Sequence, residues 1–212
     1  MRKNGIHQFI AVAFVFALLV TNYANAQPAH VRTAADVEIA LQKLTILGSV
    51  LYLGAHPDDE NTAVLAYFSE GKKYRTAYLS FTRGDGGQNL IGSEKGAEIG
   101  IIRTQELMEA RRIDGAEQFF TRAIDFGYTK TPEETFEFWD REKILSDVVW
   151  VIRTYRPDVI ISRFSPDSSG GHGHHTASTL LAKEAFLAAA DPNKFPGTEF
   201  CHCMFPFRFS QG

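Results

Sequence analysis

Strand-length apolar segments alternate with segments of helical periodicity along most of this chain, and this alternation constrains the fold more than any other feature. Ser49–His56, Arg75–Thr82 and Asp158–Phe164 have the length and residue types of strands, and a shorter strand is expected within Ala116–Ile124. Continuous apolar runs are typical of strands buried on both faces, and helix-length connections favour parallel pairing. The sequence therefore predicts an α/β fold, a three-layer sandwich with a mostly parallel, Rossmann-like sheet.

The segments between these strands repeat their apolar residues at helical spacing. Pro57 suits the first turn of a helix over Asp58–Ser69, and Thr131 with Glu134 has the spacing of a capping box. The expected helices cover Ala34–Leu44, Asp58–Ser69, Glu98–Gly115, an apolar stripe from Ile144 to Tyr155 that Arg156-Pro157 ends, and a segment that starts near His175.

Composition excludes several classes of protein. The 212 residues carry 22 basic and 25 acidic side chains, a net charge of −3, and no run of basic residues. Binding of nucleic acid or of an anionic membrane through bulk charge is therefore not expected. The two cysteines, Cys201 and Cys203, are too few for a disulfide framework or for a four-cysteine zinc site.

The first 26 residues have the pattern of a signal peptide. Arg2 and Lys3 precede an apolar run over Phe9–Val20, and Ala24-Asn25-Ala26 matches a small-x-small cleavage site. A membrane anchor is the alternative interpretation, although the run is short for a span and no stop-transfer flank follows it. We therefore expect an exported protein, periplasmic or secreted, whose mature chain begins near Gln27.

The remaining chain divides into an N-terminal helical segment at 27–46, a main domain at 47–199 and an atypical tail at 200–212.

Two segments are rich in aromatic residues. Phe136–Trp139 is a candidate for stacking on a sugar ring, but such clusters are more often core, and we expect the core. The tail from Phe200 has neither helical nor strand periodicity, which is typical of an unfinished strand or of a truncated end. We expect an incomplete domain there, because a parallel sheet of this kind usually has another strand or two.

Two polar segments directly follow predicted strands. Gly54–Glu60 (Gly-Ala-His-Pro-Asp-Asp-Glu) follows the first strand, and Gly170–His175 (Gly-Gly-His-Gly-His-His) lies in the loop after the last. In open α/β sheets, ligands bind outside the carboxyl ends of the strands, at the point where the strand order reverses. If the two strands are neighbours there, the two segments face each other across one crevice.

These segments carry a candidate set of metal ligands. His56 and Asp59 can point to the same side of the turn that Pro57 fixes, and His175 adds a second imidazole from the opposite loop. Two histidines and one carboxylate with open positions suit a catalytic Zn²⁺ or Fe²⁺ rather than a closed structural site. Asp58 would lie beside the cation and serve as a general base toward activated water.

The other two histidines have separate expected roles. His172 could stabilise an oxyanion as an imidazolium, or give a proton to a leaving amine. His174 is expected to point elsewhere, either behind the ligands or at the surface. Taken alone, the first segment is also a good turn and helix N-cap, and the second is also a polar loop. Together they favour a metal site, because they supply a full ligand set at the ends of two strands.

The first segment resembles the signature of the PIG-L/LmbE-like family of metal-dependent N-acetylglucosaminyl de-N-acetylases. The family's Ala-His-Pro-Asp-Asp-Glu is present in full at Ala55–Glu60. Its His-x-x-His, commonly His-Pro-Asp-His, stands here as His172-Gly173-His174-His175, and the resemblance covers about Gly48–Pro192. The resemblance implies metal binding by His56, Asp59 and His175, a general base at Asp58, and an oxyanion-stabilising or acidic histidine at His172.

Two further segments are similar to the family more weakly. Thr82–Gly86 resembles a family loop, with Asp85 where the family has Glu, and Arg103–Glu106 resembles an Arg-x-x-Glu helix. The resemblance implies that Arg103 contacts a sugar or a phosphate of the substrate, and an ion pair with Glu106 on the helix surface is the alternative. Asp125 is the nearest candidate for the family's substrate-binding aspartate.

The expected function is therefore that of an exported metal-dependent hydrolase, with Zn²⁺ or Fe²⁺, that removes an N-acetyl or small N-acyl group from an amino sugar. One alternative is a sugar-binding module of the same fold that has lost turnover. Another is an amidase that acts on a thiol conjugate or a peptide-like amide. The expected partner is a small molecule or a glycan, without nucleic acid and without stable membrane insertion after signal cleavage.

Overall fold

A parallel sheet of four strands is the framework on which the described residues are arranged. The structure is a computed structural model that describes residues 33–167 and 169–198. Its strands are β1 (Ser49–Gly54), β2 (Arg75–Ser80), β3 (Glu117–Phe120) and β4 (Val159–Ser162), and they pair in the order β3-β2-β1-β4. The predicted parallel sheet is confirmed, and the strand order reverses between β1 and β4.

Helices cover both faces of this sheet. Successive strand residues point to opposite faces, so Leu51 packs into a cluster with the helices over Arg141–Tyr155 and Gly173–Ala190, whereas Tyr52 packs against those over Thr62–Ala66 and Ala97–Asp114. This arrangement confirms the three-layer sandwich. The helices of the described residues are α1 (Ala34–Lys43), α2 (Thr62–Ala66), α3 (Ala97–Asp114), α4 (Pro132–Phe138), α5 (Arg141–Tyr155) and α6 (Gly173–Ala190).

The capping signal before α4 is confirmed at Thr131, whereas the Glu134 carboxylate binds the residue before the cap rather than the cap residue itself. Thr131 Oγ1 accepts a hydrogen bond from the backbone N–H of Glu134 at 3.3 Å, and the Glu134 carboxylate accepts one from the backbone N–H of Lys130 at 2.8 Å. The apolar stripe predicted from Ile144 to Tyr155 is also confirmed, since it lies within α5, which ends before Arg156. At the start of α5 the Asp140 carboxylate caps the helix by accepting a hydrogen bond from the backbone N–H of Lys143 at 3.2 Å.

The helix expected over Asp58–Ser69 begins later, at Thr62, and a π-helical turn over Tyr67–Gly71 follows it. The predicted place of Pro57 in a first helical turn is therefore wrong. The carboxylate of Asp59 turns back to accept a hydrogen bond from the backbone N–H of His56 at 2.7 Å, which closes a separate turn ahead of the helix.

The strand predicted as buried over Asp158–Phe164 is only half-buried. Val159 is 50% exposed, because β4 is the outermost strand of the sheet within the described part of the chain. Along its other edge, all four residues of β4 pair with β1, from Val50 to Leu53. The carboxyl end of β4 therefore lies beside that of β1.

The described residues through Glu38 belong to one compact unit and those from Ile39 to another, so α1 spans the boundary. The sheet and helices α2–α6 lie in the second unit. The apolar face predicted within Ala34–Leu44 is exposed, with Leu41 at 60% and Leu44 at 76%.

None of the helices within 33–167 and 169–198 is both long and apolar enough to cross a membrane. The predicted signal peptide at 1–26, the Cys201 and Cys203 pair and the tail at 200–212 lie outside these ranges.

Candidate metal centre

The two polar segments meet where the strand order reverses. His56 follows β1, and His175 lies in the first turn of α6, which follows β4. Ligand atoms of His56, Asp59 and His175 all lie within 4.8 Å of one another. The structure thus brings together the three residues that the sequence predicts as ligands.

Asp59 lies between the two imidazoles. Its Oδ2 is 3.3 Å from Nδ1 of His56, and its Oδ1 is 3.6 Å from Nε2 of His175. Burial raises the pKa of the Asp59 carboxyl, but the hydrogen bond and charge of His56, together with the charge of His175, outweigh this and lower the pKa overall. The carboxylate is therefore ionised at neutral pH, as a metal ligand requires.

Neighbouring groups fix the orientation of His175. Its Nδ1 lies 2.9 Å from the carbonyl oxygen of Gly170, and a carbonyl only accepts, so Nδ1 carries the proton. The ring also stacks on Phe164, with centroids 3.7 Å apart and planes inclined by 5°. The lone pair of Nε2 is consequently directed toward Asp59. This stacking could not be predicted from the sequence, because a Phe at the end of a strand has the pattern of a core residue.

His56 is held by contacts that the sequence analysis missed. The Tyr78 hydroxyl donates a hydrogen bond to its carbonyl oxygen at 2.5 Å, and its Nε2 lies 2.9 Å from Nδ1 of His174. Burial lowers the pKa of His56, but the hydrogen bond and charge of Asp59, with smaller effects of Asp125 and Asp58, raise it overall. Nδ1 of His56 thus faces the carboxylate while Nε2 is used by another imidazole.

His174 is completely buried, so the predicted alternative of a surface role is wrong. As the second residue of α6 it points inward, where its ring stacks on Trp139 at 4.9 Å and meets the edge of Phe126. Burial, together with the charges of the neighbouring histidines, lowers its pKa to about 3. His174 is therefore a neutral imidazole behind the predicted ligands.

A second set of three, His56, His172 and His174, also brings ligand atoms within 4.8 Å of one another. This set contains no carboxylate, so a dication there would keep its full charge in buried surroundings. The set with Asp59 neutralises part of that charge and is the better seat for a metal. Both sets include His56. In the set with Asp59, only Nδ1 of His56 faces the other two ligands, because Nε2 lies against His174.

His172 is the N-cap residue of α6. Its Nδ1 accepts a hydrogen bond from the backbone N–H of His174 at 3.2 Å, so the proton of the neutral ring is on Nε2. Burial, with the charges of His56 and His175, lowers its pKa to about 4. The metal-free protein therefore presents His172 at neutral pH as an uncharged hydrogen-bond donor rather than as the imidazolium of the sequence-based prediction.

Asp58 points away from the three ligands. Its side chain is 71% exposed and forms an ion pair with Arg103 at 3.1 Å. The sequence left open whether Arg103 faces the site or pairs with Glu106, and in the described residues its ion pair is with Asp58. Gly84, with φ +72°, leaves room for this guanidinium, since a Cβ there would lie 2.7 Å from Nη1 of Arg103.

A larger cleft of about 690 Å³ adjoins this region, and its lining includes Arg83, Asp85, Thr104 and Asp125. Asp125 is buried, and its Oδ1 lies 3.9 Å from Nδ1 of His174, too far for a hydrogen bond. The candidate substrate-binding aspartate thus reaches both the cleft and the histidines. Asp58 and Arg103 line a smaller cleft of about 210 Å³.

The aromatic cluster is mostly a core feature, as expected. Trp139 is buried, stacks on Phe81, and donates its indole N–H to the carbonyl of Ile124 at 2.9 Å. Phe138 is 68% exposed but packs against Phe126 with ring centroids 4.4 Å apart. The cluster covers the inner side of the histidine group.

The donor set fits a divalent transition metal. Two imidazole nitrogens and one ionised carboxylate are a borderline-soft ligand set, and three protein ligands leave coordination positions for water and substrate. The carbonyl of Gly170 supports His175 in the way that ligating histidines are usually supported. The fold and the site together define an α/β-sandwich protein with a candidate open metal centre at the reversal point of its sheet.

Comparison with known families gives a more particular identification. The sequence profile of the family PIG-L, GlcNAc-PI de-N-acetylase, matches residues 51–186, which is more than half of the chain. The chain belongs to this family. The matched range contains all three predicted ligands.

Curated relatives carry related names. A mycothiol S-conjugate amidase of Streptomyces coelicolor is 32% identical over 177 residues, which cover 74% of this chain and 59% of that protein. A 1D-myo-inositol 2-acetamido-2-deoxy-alpha-D-glucopyranoside deacetylase 2 of Frankia alni is 30% identical over 168 residues, 70% of this chain and 56% of that protein. The chain thus spans less than two thirds of the length of either relative.

Solved structures agree on the fold. An N,N'-diacetylchitobiose deacetylase from Pyrococcus horikoshii superposes with a TM-score of 0.55 at 19% identity, covering 79% of this chain and 64% of that one. A 4-carboxy-2-hydroxymuconate hydratase from Pseudomonas putida gives 0.54 at 22% identity, covering 72% and 61%. Because one neighbour is a deacetylase and the other a hydratase, the shared fold does not by itself select the reaction.

Proposed function

We propose that this protein is an exported, metal-dependent hydrolase that removes an N-acetyl or other small N-acyl group from an amino-sugar substrate. The observation that carries the proposal is the convergence of His56, Asp59 and His175 at the reversal point of the sheet. Membership of the PIG-L family and the deacetylase names of its relatives support this reaction over others that the fold could host.

His56, Asp59 and His175 would hold the metal. A divalent cation, Zn²⁺ or Fe²⁺, supplies a Lewis acid that polarises the amide carbonyl and lowers the pKa of water. The chain's part is to fix the ligand atoms before the metal arrives. In the metal-free protein, a hydrogen bond from the backbone N–H of His56 holds the Asp59 carboxylate in place. The carbonyl of Gly170 holds His175 in place through Nδ1.

Asp58 is the proposed general base. It follows a proposed ligand by two residues, and the Arg103 guanidinium at 3.1 Å stabilises its negative charge. It accepts the proton of the attacking water as the new carbon–oxygen bond forms. The same proton passes to the amine nitrogen as the carbon–nitrogen bond breaks, so that the products are a carboxylic acid and a free amine.

His172 is the proposed oxyanion donor. Its N-cap hydrogen bond leaves the proton on Nε2, and its ring centroid lies 5.2 Å from that of His56 and 5.0 Å from that of His175. An uncharged N–H aimed at the reacting carbonyl can stabilise developing negative charge without first being protonated. Arg103 and Asp125 are proposed to bind polar groups of the substrate.

The test is an assay of amine release from N-acetylglucosamine conjugates by the purified protein, with and without a chelator and with Zn²⁺ added back. We expect release that the chelator stops and Zn²⁺ restores. Release that continues unchanged after the metal is removed would contradict the mechanism. Binding of Zn²⁺ and of the conjugate without any product would instead identify a sugar-binding module.

A second candidate reaction has a specific observation in its favour. The relative of 32% identity is named a mycothiol S-conjugate amidase, which places a thiol conjugate among the substrates to be considered. A panel of N-acetylated amino sugars and of amides of thiol conjugates, assayed under the same conditions, separates the two. The substrate with the higher kcat/KM identifies the reaction.

Export is proposed from the first 26 residues. Arg2 and Lys3, the apolar run and Ala24-Asn25-Ala26 together form the pattern of a cleavable signal. The substrate would then lie outside the cytoplasm, in the periplasm or in the medium. Expression in a bacterial host with N-terminal sequencing of the exported protein tests this, and an uncleaved chain retained in the cytoplasm would contradict it.

A further inference from the structure

His174 is the one histidine of the second segment that the proposed chemistry leaves unused. It is completely buried, and its ring is fixed between Trp139 and the edge of Phe126. Its Nε2 has no hydrogen-bond partner among the described residues. A ring that merely filled this space would be better apolar, because an unpartnered buried polar atom is costly. The polar contact at its other nitrogen therefore needs an explanation.

We propose that His174 is a positioning residue that holds the imidazole of His56 with Nδ1 facing Asp59 and His175. Nδ1 of His174 lies 2.9 Å from Nε2 of His56, which is hydrogen-bonding distance. The inference rests on the proposed function only in taking the metal to bind at His56, Asp59 and His175.

The direction of this hydrogen bond follows from the chemistry of imidazole. When Nδ1 of His56 gives its lone pair to a cation, Nε2 of that ring carries the proton and needs an acceptor. Nδ1 of His174 is the acceptor in place, and Asp125 is not within hydrogen-bonding distance of His174. The stacked rings around His174 keep this acceptor from turning away. The hydrogen bond therefore selects the orientation of His56 that the metal seat uses.

Two substitutions separate the acceptor from the packing. His174→Phe keeps an aromatic ring against Trp139 but removes the acceptor. His174→Asn is smaller, and its side-chain oxygen can lie near the position of Nδ1, so the acceptor is restored. Trp139→Phe is the matched control, since it alters the packing around His174 while leaving both hydrogen-bonding nitrogens in place.

The experiment titrates the metal-free full chain and each variant with Zn²⁺ by calorimetry. We expect His174→Phe to weaken Zn²⁺ binding by about 10- to 100-fold, the usual effect of removing a group that supports a metal ligand. His174→Asn and Trp139→Phe should stay within about threefold of the parent, because both keep an acceptor for His56. The absorption bands of bound Co²⁺ should change in His174→Phe and not in Trp139→Phe.

Stability gives an independent readout. In the metal-free state His174→Phe should unfold within a few degrees of the parent, because it removes one unpartnered nitrogen, Nε2 of His174, and leaves another, Nε2 of His56. Lower metal affinity without lower stability would not arise from a packing role. Zn²⁺ binding by His174→Phe as tight as that of the parent would overturn the role of His174, and so would an equal loss in His174→Asn. A parent that binds no Zn²⁺ would overturn the metal centre itself.

Discussion

The guanidinium of Arg103 lies 3.1 Å from the carboxylate of Asp58, so a residue of α3 holds the proposed general base in the turn that also carries His56 and Asp59. Because this pair is built into the turn after β1, the charge of Asp58 is placed before a substrate arrives. The pair also explains why Arg103 is largely buried at a position where a helix-surface arginine would extend into solvent.

Arg103→Met should lower kcat/KM by about tenfold or more, since a hydrogen bond to a charged group contributes about 1.5–3 kcal/mol. Zn²⁺ affinity should not change, because Arg103 touches none of the proposed ligands. Arg112→Met is the matched control, as Arg112 forms a surface ion pair with Glu109 on the same helix. Equal losses in both variants would show that the effect is not local to Asp58.

Asp58 and Asp59 are adjacent but should behave differently. Asp58→Asn is expected to lower kcat by about 10²–10⁴, the usual contribution of a general base, while Zn²⁺ still binds. Asp59→Asn is expected to lose Zn²⁺ binding, because it removes the charged ligand between His56 and His175. Steady-state kinetics and calorimetry on both variants check this. The reverse pattern would exchange the two assignments.

Metal should stabilise the folded chain. With free Zn²⁺ at about a hundred times its Kd, binding adds about 2.7 kcal/mol to the free energy of unfolding, which corresponds to a rise in Tm of about 5–10 °C for a domain of this size. Chelation should reverse the rise. Thermal unfolding followed by circular dichroism measures both, and His175→Ala is the control that should not respond. If neither Zn²⁺ nor chelator changes the Tm of the parent protein, the metal centre is absent.

The Tyr78 hydroxyl should be worth about 1 kcal/mol to stability, since it donates to the buried carbonyl of His56. Tyr78→Phe removes this hydrogen bond and keeps the ring against Leu65 and Leu107. Urea unfolding should show the loss, and Zn²⁺ binding should also weaken because the His56 turn is less firmly held. Tyr67→Phe, at a tyrosine that is 53% exposed, should leave both quantities unchanged. A variant as stable as the parent would contradict this view of the turn.

The metal-free protein should lose stability in mild acid. Burial lowers the pKa of His172 to about 4 and that of His174 to about 3, with the neighbouring histidines adding to the effect. The unfolded chain, with histidine pKa values of about 6.5, then takes up protons before the folded protein does, so stability falls as the pH drops below about 6.5 toward those values. The raised pKa of His56 opposes the trend and offsets part of it.

Urea unfolding in the presence of chelator, at about pH 7 and about pH 5, measures this difference. His174→Asn should show a shallower dependence, because one of the two depressed groups no longer titrates. A free energy of unfolding that is equal or higher at the lower pH would contradict the expected direction.

Sequence reasoning was most successful where the information is local. The strand patterns at Ser49–Gly54 and Arg75–Ser80 and the capping box at Thr131 depend on residues a few positions apart, and the structure confirms them. His56 and Asp59 share one tight turn, so their spacing alone indicated that they could act together. The partner at His175 followed from a rule about strand ends rather than from its own neighbours.

Sequence reasoning failed where a side chain's environment is made by distant residues. Histidines 172, 174 and 175 fall at the start of one helix, and nothing in their spacing shows that His174 is the one turned into the core against Trp139. Arg103 had two plausible partners, and the position of α3 beside the turn chose Asp58. The exposed outer edge of β4 depends on its place in the sheet, which an apolar run does not encode.

The sequence by itself determined the alternation of strands and helices, the residue types of the metal site and the family to which the chain belongs. Each of these depends on residues that lie close together in the sequence. The tertiary structure decided which nitrogen of each histidine is free, which carboxylate lies between the rings and which is turned outward. Those choices depend on hydrogen bonds and packing between segments more than a hundred residues apart, such as that between His56 and His174, and only the folded chain brings these segments into contact.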